Sequence, residues 1–384
     1  MSKIPVNYKR KDFQSDQEVK WCPGCGDYAV LAAVRKTLPK LGRRKEDYVF
    51  VSGIGCAARF PYYMETYGLH SIHGRAPAFA TGIKLANPDL DVWLVSGDGD
   101  LLSIGGNHLI HSMRRNVGIN LILLNNRIYG LTKGQYSPTS EKGKITKSTP
   151  MGSLDTPINP IALALAAECT FVARSLDIDA KFLEAIMTRG ASHQGMAFIE
   201  VYQDCNIFNH QAWFYASQKD TRADHTVECV HGEPLVFGAE RNRGIRFVDG
   251  ALEVIELGGE YGEADCMVHD ERNRLQAWML TSMRHPEFPE PLGVLYCDPD
   301  APSYGAALEQ QVQQSTAEAR ESKAQAARES QAAAASNRDA AKRADAMAES
   351  VRRLEKKLEQ VQWDKEQVCA AWCLHGAMPL CCCV

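Results

Sequence analysis

Residues 91–126, DVWLVSGDGDLLSIGGNHLIHSMRRNVGINLILLNN, decide the fold of this chain. Two apolar runs, 92–95 and 119–124, have the length and residue types of buried strands, and a helical pattern separates them. A strand, a helix and a strand within about 35 residues form a βαβ crossover, so the two strands are expected to be parallel and adjacent.

Polar residues follow both of these strands. Asp98 comes just past the carboxyl end of the first strand and Asn126 just past the second. Open parallel sheets bind ligands at that edge. Carboxylate and amide oxygens beside exposed backbone N–H groups suit a hydrated divalent cation that bridges to a diphosphate. Gly-Asp-Gly is also common as a turn, and Asn-Asn is common as a helix cap. Neither motif is therefore specific by itself.

Composition narrows the class of protein. The chain has 384 residues, of which 45% are hydrophobic, and a formal net charge of -4. This balance allows a sizeable core and argues against nucleic acid as the main partner. The sequence begins without the apolar segment of a secretory signal, and no apolar run approaches the roughly eighteen residues of a membrane helix. We therefore expect a cytoplasmic protein that does not enter a membrane.

The order of the patterns predicts the architecture. Strands alternate with helices from Tyr48 to Tyr202, which indicates a doubly wound α/β sheet in a first domain, residues 1–215. Short strands around an Asp249-Gly250 turn predict a smaller α+β extension, residues 216–303. The Ala-rich stretch that follows predicts one long helix and ends in a Cys-rich tail, so residues 304–384 form a third region of unknown role. The final four residues nominally fit a prenylation box, but packing or adventitious metal binding explains these cysteines better.

Four of the thirteen cysteines are expected to converge. Cys22 and Cys25 form a C-x-x-C pair, while Cys56 and Cys205 each follow a strand at the edge that carries Asp98. Four thiolates beside a cofactor suit a [4Fe–4S] cluster. A structural zinc ion also uses C-x-x-C pairs, and the spacing alone does not choose between the two.

Several motifs, in order, resemble the β subunit of 2-oxoacid:ferredoxin oxidoreductases, most closely the 2-oxoglutarate type. They are WCPGCG (21–26), GIGC (53–56), HGRAPAFATGIKLANP (73–88), GDGD (97–100), HLIHSMRRN (108–116), NNRIYGLTKGQYSPTS (125–140) and the late Cys205. The resemblance covers about the first 215 residues. It implies the thiamine diphosphate-binding type of α/β fold, and the Ala-rich helix and cysteine tail depart from it.

The resemblance also implies roles for individual residues. Cys22, Cys25, Cys56 and Cys205 would ligate the [4Fe–4S] cluster, and Asp98, Asn126 and the backbone oxygen of Ile128 would hold Mg²⁺. Thiamine diphosphate would contact Ile54, Gly55, Cys56, Ala57, His73, Gly97, Gly99, Asp100, Gly130 and Leu131. His73, Arg59 and Lys133 would act on the substrate, since a second substrate carboxylate needs a cation. Arg75 is a further candidate for that cation.

The implied reaction converts 2-oxoglutarate, coenzyme A and oxidised ferredoxin to succinyl-CoA, carbon dioxide and reduced ferredoxin, or the reverse. It would run through a thiamine diphosphate carbanion and one-electron transfer to the cluster. The activating glutamate would come from a separate α subunit, which predicts a heterotetramer of two α and two β chains and a soluble ferredoxin as acceptor. Pyruvate or another 2-oxoacid is the alternative substrate. The alternative classes are a non-redox thiamine-dependent decarboxylase subunit with structural zinc and a catalytically silent scaffold.

Overall fold

An eight-stranded sheet with helices on both faces dominates the computed structural model, which describes residues 7–335 and 340–373. The strand order is β2-β1-β3-β4-β6-β5-β11-β7. The strands are β1 (Tyr48–Ser52), β2 (Tyr67–His70), β3 (Asp91–Gly97), β4 (Ile119–Asn125), β5 (Phe171–Leu176), β6 (Ala197–Tyr202), β7 (Thr226–Cys229), β8 (Val236–Phe237), β9 (Arg243–Val248), β10 (Ala251–Glu256) and β11 (Glu290–Cys297). The helices are α1 (Asp27–Lys40), α2 (Ala76–Ala86), α3 (Asp98–Leu102), α4 (Gly106–Arg114), α5 (Pro160–Ala166), α6 (Ala180–Ser192), α7 (Phe214–Ser217), α8 (Arg222–His225), α9 (Arg274–Leu280), α10 (Tyr304–Ala335) and α11 (Ala340–Cys373).

The central βαβ unit has the predicted strands. β3 and β4 pair in parallel, with Val92 opposite Ile119, and β4 is buried throughout. The connection contains two helices, α3 and α4, in place of the single helix expected. The break falls at Gly105, where a Cβ would approach the Asp100 carbonyl oxygen to 2.6 Å. The close turn there separates α3 from α4.

The rest of the sheet is nearly all parallel, which confirms the doubly wound α/β fold. β11 and β7 are the exceptions, since β11 runs antiparallel to β5 and β7 pairs in parallel with β11. Apolar side chains cover both faces, with Trp93 and Phe50 on one and Leu94 and Leu121 on the other. Because the parallel strands end at one edge, the residues that follow them are brought together there.

The segment after residue 215 contributes to the main sheet. β7 and β11 occupy its far side and pair in parallel. β8, β9 and β10 form a separate antiparallel sheet of three strands. Asp249 and Gly250 join β9 to β10 with φ of +50° and +83°, the left-handed values that the predicted hairpin turn needs.

Residues 304–384 form a second compact unit. The residues of this unit that the structure describes form two helices, α10 and α11, whereas one was expected. They pack in opposite directions, with an ion pair between Lys323 and Glu355, and a groove beside it is lined by Leu354, Leu358 and Val361. The cysteines at 381–383 lie outside the described residues. In the part of the chain that is described, no helix has both the length and the apolar character needed to cross a bilayer.

Candidate functional site

A cleft of about 150 Å³ opens at the carboxyl edge of β1, β3 and β4. All ten residues expected to contact thiamine diphosphate line it, as do Asp98, Asn126 and Ile128. Gly55 has a φ of +124°, which only glycine adopts readily, so the GIGC turn can present backbone groups to the cleft. Asp27, Tyr129 and Thr132 also line the cleft and were not expected there.

Asp98 begins α3 and is 1% exposed. Its Oδ2 accepts hydrogen bonds from Ser137 Oγ at 2.5 Å and Thr139 Oγ1 at 2.6 Å. Burial raises the pKa of this carboxyl to about 6, and the two hydroxyl donors act in the opposite direction. Both donors approach the same oxygen of a carboxylate that lines the cleft.

Hydrogen bonds to neighbouring residues also orient the side chain of Asn126. Its Nδ2 donates to Gln203 Oε1 at 2.8 Å, and its Oδ1 accepts from Ile128 N at 3.1 Å. Two side-chain oxygens and a backbone carbonyl at one cleft match the oxygen ligands that Mg²⁺ prefers. The donor set of Asp98, Asn126 and Ile128 therefore fits a magnesium ion.

Asp100 lines the cleft, and its carboxylate is held by hydrogen bonds from the protein. Its Oδ1 accepts from Ile54 N at 3.1 Å, Gly74 N at 2.7 Å and His73 Nδ1 at 2.5 Å. Its Oδ2 accepts from Ser96 Oγ at 2.7 Å. The carboxylate is occupied by the protein, so it builds the wall of the cleft. It also fixes the His73 ring, which leaves Nε2 as the nitrogen able to contact a ligand.

Of the four expected cluster ligands, Cys56 lines the cleft and Cys205 lies against the Gly130 loop beside it. A Cβ on Gly130 would stand 3.4 Å from Cys205 Sγ and 3.8 Å from Cys56 Sγ, so the Gly130 loop lies against both thiols. Burial raises the pKa of the Cys25 and Cys205 thiols and brings that of Cys56 to about 11. The Cys205 and Cys56 charges raise the pKa of Cys25 further, and the Cys22 charge does so for Cys56.

The spacing of these thiols bears on the kind of metal centre. Among the described residues, no group of three or more His, Cys, Asp or Glu side chains is tight enough for a single metal ion. Four thiols are the ligand type of a [4Fe–4S] cluster and also of a structural zinc, so the donor set fits either centre.

The expected substrate cations lie elsewhere. Arg59 donates to the backbone oxygen of Lys20, and Arg75 donates to that of Ile104 at 3.2 Å. Lys133 is exposed in a left-handed conformation with a φ of +76°. None of the three cations is among the residues that line the cleft.

Comparisons with known proteins agree with this geometry. Residues 53–201 match the family described as thiamine pyrophosphate enzyme, C-terminal TPP binding domain. The chain is 63% identical over 231 residues to the 2-oxoglutarate oxidoreductase subunit KorB of Mycobacterium tuberculosis, covering 60% of this chain and 62% of that protein. It is 47% identical over 220 residues to the 2-oxoacid:ferredoxin oxidoreductase subunit beta of Saccharolobus solfataricus, covering 56% of this chain and 71% of that one.

A solved structure extends the likeness. The 2-oxoglutarate:ferredoxin oxidoreductase from Magnetococcus marinus, with 2-oxoglutarate, coenzyme A and succinyl-CoA bound, contains a chain that is 31% identical. The TM-score is 0.65, covering 80% of this chain and 91% of that chain. The alignment with the Mycobacterium protein spans less than two thirds of that protein's length. By its sequence and its fold, the chain belongs to the family of 2-oxoacid:ferredoxin oxidoreductase β subunits and carries that family's thiamine diphosphate-binding domain.

Proposed function

We propose that this chain is the thiamine diphosphate- and cluster-binding β subunit of an enzyme that oxidises 2-oxoglutarate with coenzyme A and ferredoxin. One observation carries the proposal. Cys56 lines the cofactor cleft, and Gly130 in the same cleft lies against the thiols of Cys56 and Cys205. A cluster held there would adjoin the cofactor, which is the arrangement that electron transfer from the cofactor needs.

The residues of the chain have distinct tasks in this proposal. Bound thiamine diphosphate supplies a carbon nucleophile for the 2-oxo carbon, and a bound cluster accepts the resulting electrons one at a time. Asp98, Asn126 and the Ile128 carbonyl hold Mg²⁺, which positions the diphosphate. His73, fixed through Nδ1 by Asp100, presents Nε2 as a hydrogen-bonding group at the cleft.

A partner subunit completes the site. Ile54 and Leu131 line the cleft and are 40% and 44% exposed, and Ile72 near its mouth is 63% exposed. Apolar side chains around the mouth of a polar cleft suit coverage by another protein. We assign this role to an α subunit, which would also supply the glutamate that activates the cofactor and the cation for the second substrate carboxylate.

The substrate follows from the relatives. The Mycobacterium protein and the Magnetococcus structure both have 2-oxoglutarate in their names. Pyruvate is the alternative, because Arg59, Lys133 and Arg75 do not line the cleft.

The test is to purify the chain anaerobically with its partner and to assay coenzyme A-dependent ferredoxin reduction with 2-oxoglutarate and with pyruvate. Iron and zinc are measured on the same sample. We expect iron, no stoichiometric zinc, and preference for 2-oxoglutarate. Activity with pyruvate alone would overturn the substrate, and an iron-free sample that binds zinc would favour the non-redox decarboxylase.

A further inference from the structure

Gln203 occupies a buried position between the two cofactor sites. It follows β6 directly and is 1% exposed. Its backbone N donates to the Asn125 carbonyl oxygen at 3.0 Å, which places it beside the end of β4. A long polar side chain this deeply buried needs a partner for each of its polar atoms.

The side chain of Gln203 meets both sets of expected ligands. Its Oε1 accepts from Asn126 Nδ2 at 2.8 Å, and its Nε2 donates to Cys25 Sγ at 3.3 Å. Nε2 also donates to the backbone oxygen of Asp204 at 2.6 Å. Both N–H bonds of the amide are therefore used, one on a carbonyl and one on a sulfur.

The orientation of both amides is determined by backbone groups. The Asp204 carbonyl can only accept, so the Gln203 atom that faces it must be Nε2. Likewise the Ile128 N–H can only donate, so the Asn126 atom beside it must be Oδ1. Gln203 thus presents N–H to Cys25, and Asn126 keeps its oxygen for the cleft.

We propose that Gln203 is a positioning residue that joins the magnesium ligand Asn126 to the cluster ligand Cys25 and sets the reduction potential of the cluster. The inference rests on the proposed function. An N–H donor on a cluster sulfur stabilises the reduced, more negative state, so it raises the potential. At the other end, the accepting Oε1 holds Asn126 in the orientation that binds Mg²⁺.

Two substitutions separate the two ends of this bridge. Q203E preserves size and the acceptor for Asn126 but replaces the N–H donor to sulfur with a carboxylate. Q203L preserves volume but removes all three contacts of the amide, with Asn126, Cys25 and the Asp204 carbonyl. The matched control is N120L, which removes a buried amide from the opposite end of β4, where Asn120 Nδ2 donates to Asp91 at 2.8 Å.

Each variant is purified anaerobically with its partner subunit. The cluster potential is measured by redox titration followed by electron paramagnetic resonance, and thiamine diphosphate binding is measured at varied Mg²⁺ concentration. We expect a lower potential in Q203E and Q203L, and about tenfold weaker magnesium-dependent binding in Q203L only. N120L should keep the wild-type values of both quantities.

The two hypotheses fail in different ways. A wild-type potential in Q203E, or an equal shift in N120L, overturns the role of Gln203 while the proposed function stands. A wild-type complex without a cluster signal overturns both. Because Q203E retains the shape of the side chain, the test of the sulfur contact stands on it even where Q203L does not fold.

Discussion

The two ends of β3 and β4 carry the same pair of residue types for different purposes. At the amino end, Asp91 and Asn120 bond directly to each other at 2.8 Å, and Arg43 lies 3.7 Å from the same carboxylate. At the carboxyl end, Asp98 and Asn126 are each held by other residues and line a cleft. Asp91 thus has a positive charge beside it, whereas the groups that hold Asp98 are neutral hydroxyl and backbone N–H donors, which suits a bound cation.

The electrostatics sharpen this contrast. Burial raises the pKa of both carboxyls, Asp91 and Asp98, to about 6. The positive charges of Arg43 and Lys84 oppose that shift at Asp91. At Asp98 the opposing groups are the donors on Ser137 and Thr139 and nearby backbone N–H groups. These groups are neutral, so the Mg²⁺ that we propose would be the positive charge beside ionised Asp98.

Removing the carboxylate at the carboxyl end should have the largest effect on the cofactor site. In Asp98→Ala, we expect loss of magnesium-dependent thiamine diphosphate binding and at least about a hundredfold loss of ferredoxin reduction. The readouts are cofactor binding by calorimetry and turnover of the complex. Undiminished binding would contradict the magnesium site and favour a catalytically silent scaffold.

The hydroxyl groups that donate to Asp98 should have the second-largest effect on the cofactor site. Thr139→Val keeps the shape of the side chain but removes the donor to Oδ2, so Asp98 loses part of its orientation. We expect about tenfold weaker Mg²⁺ affinity, measured by titrating magnesium against cofactor binding. Thr139→Ser retains the hydroxyl and should restore most of the affinity. Equal affinity in Val and Ser variants would show that the hydroxyl has no such role.

Removing the hydrogen bond between Asp91 and Asn120, at the amino ends of β3 and β4, should change the stability of the protein but not its cofactor site. Asn120→Ala leaves Asp91 Oδ1 without its donor in a buried place, which costs about 1–3 kcal/mol of unfolding free energy. Chemical denaturation measures this change. Magnesium affinity should stay at the wild-type value, because the pair is at the far end of the strands from the cleft. A loss of affinity comparable to that of Thr139→Val would mean that the two ends are coupled.

The strands of this comparison could be predicted from the sequence because their apolar runs end sharply at polar residues. β1 and β6 have the predicted bounds. β2 and β7 were missed, since they are four-residue strands at the two edges of the sheet, and β2 is largely exposed. The break between α3 and α4 depends on the close packing of Gly105, a tertiary contact that helical periodicity does not register.

The sequence predicted the candidate site about as well as it predicted the fold. Asp98 and Asn126 were expected at this edge because each follows a strand, and both line the cleft. The ligation of a cluster by the four cysteines, which came from their spacing and from the resemblance, stays a prediction. Ser137 and Gln203 were not expected, because folding alone brings Ser137 to Asp98 across 39 positions and Gln203 to Asn126 across 77. Their one signal is that each is a polar residue close to a motif, and many surface residues share that feature.

The smallest expected effect on the cofactor site comes from the charge of Asp91, and its signature is pH dependence. The folded pKa of about 6 stands above the ordinary value of 3.8, so the folded protein holds this proton more tightly than the unfolded chain. The contribution of the group to stability is therefore full below about pH 4 and is lost as the pH rises past about 6. Asp91→Asn stays neutral and lacks this loss. The melting temperature of the wild type relative to that of Asp91→Asn should thus decline from about pH 4 to about pH 6.5 and level off above that, while magnesium affinity is equal in both. A relative melting temperature that is flat or rises with pH would mean that Arg43 and Lys84 keep Asp91 ionised at every pH, and the amino end would then be an ordinary ion pair.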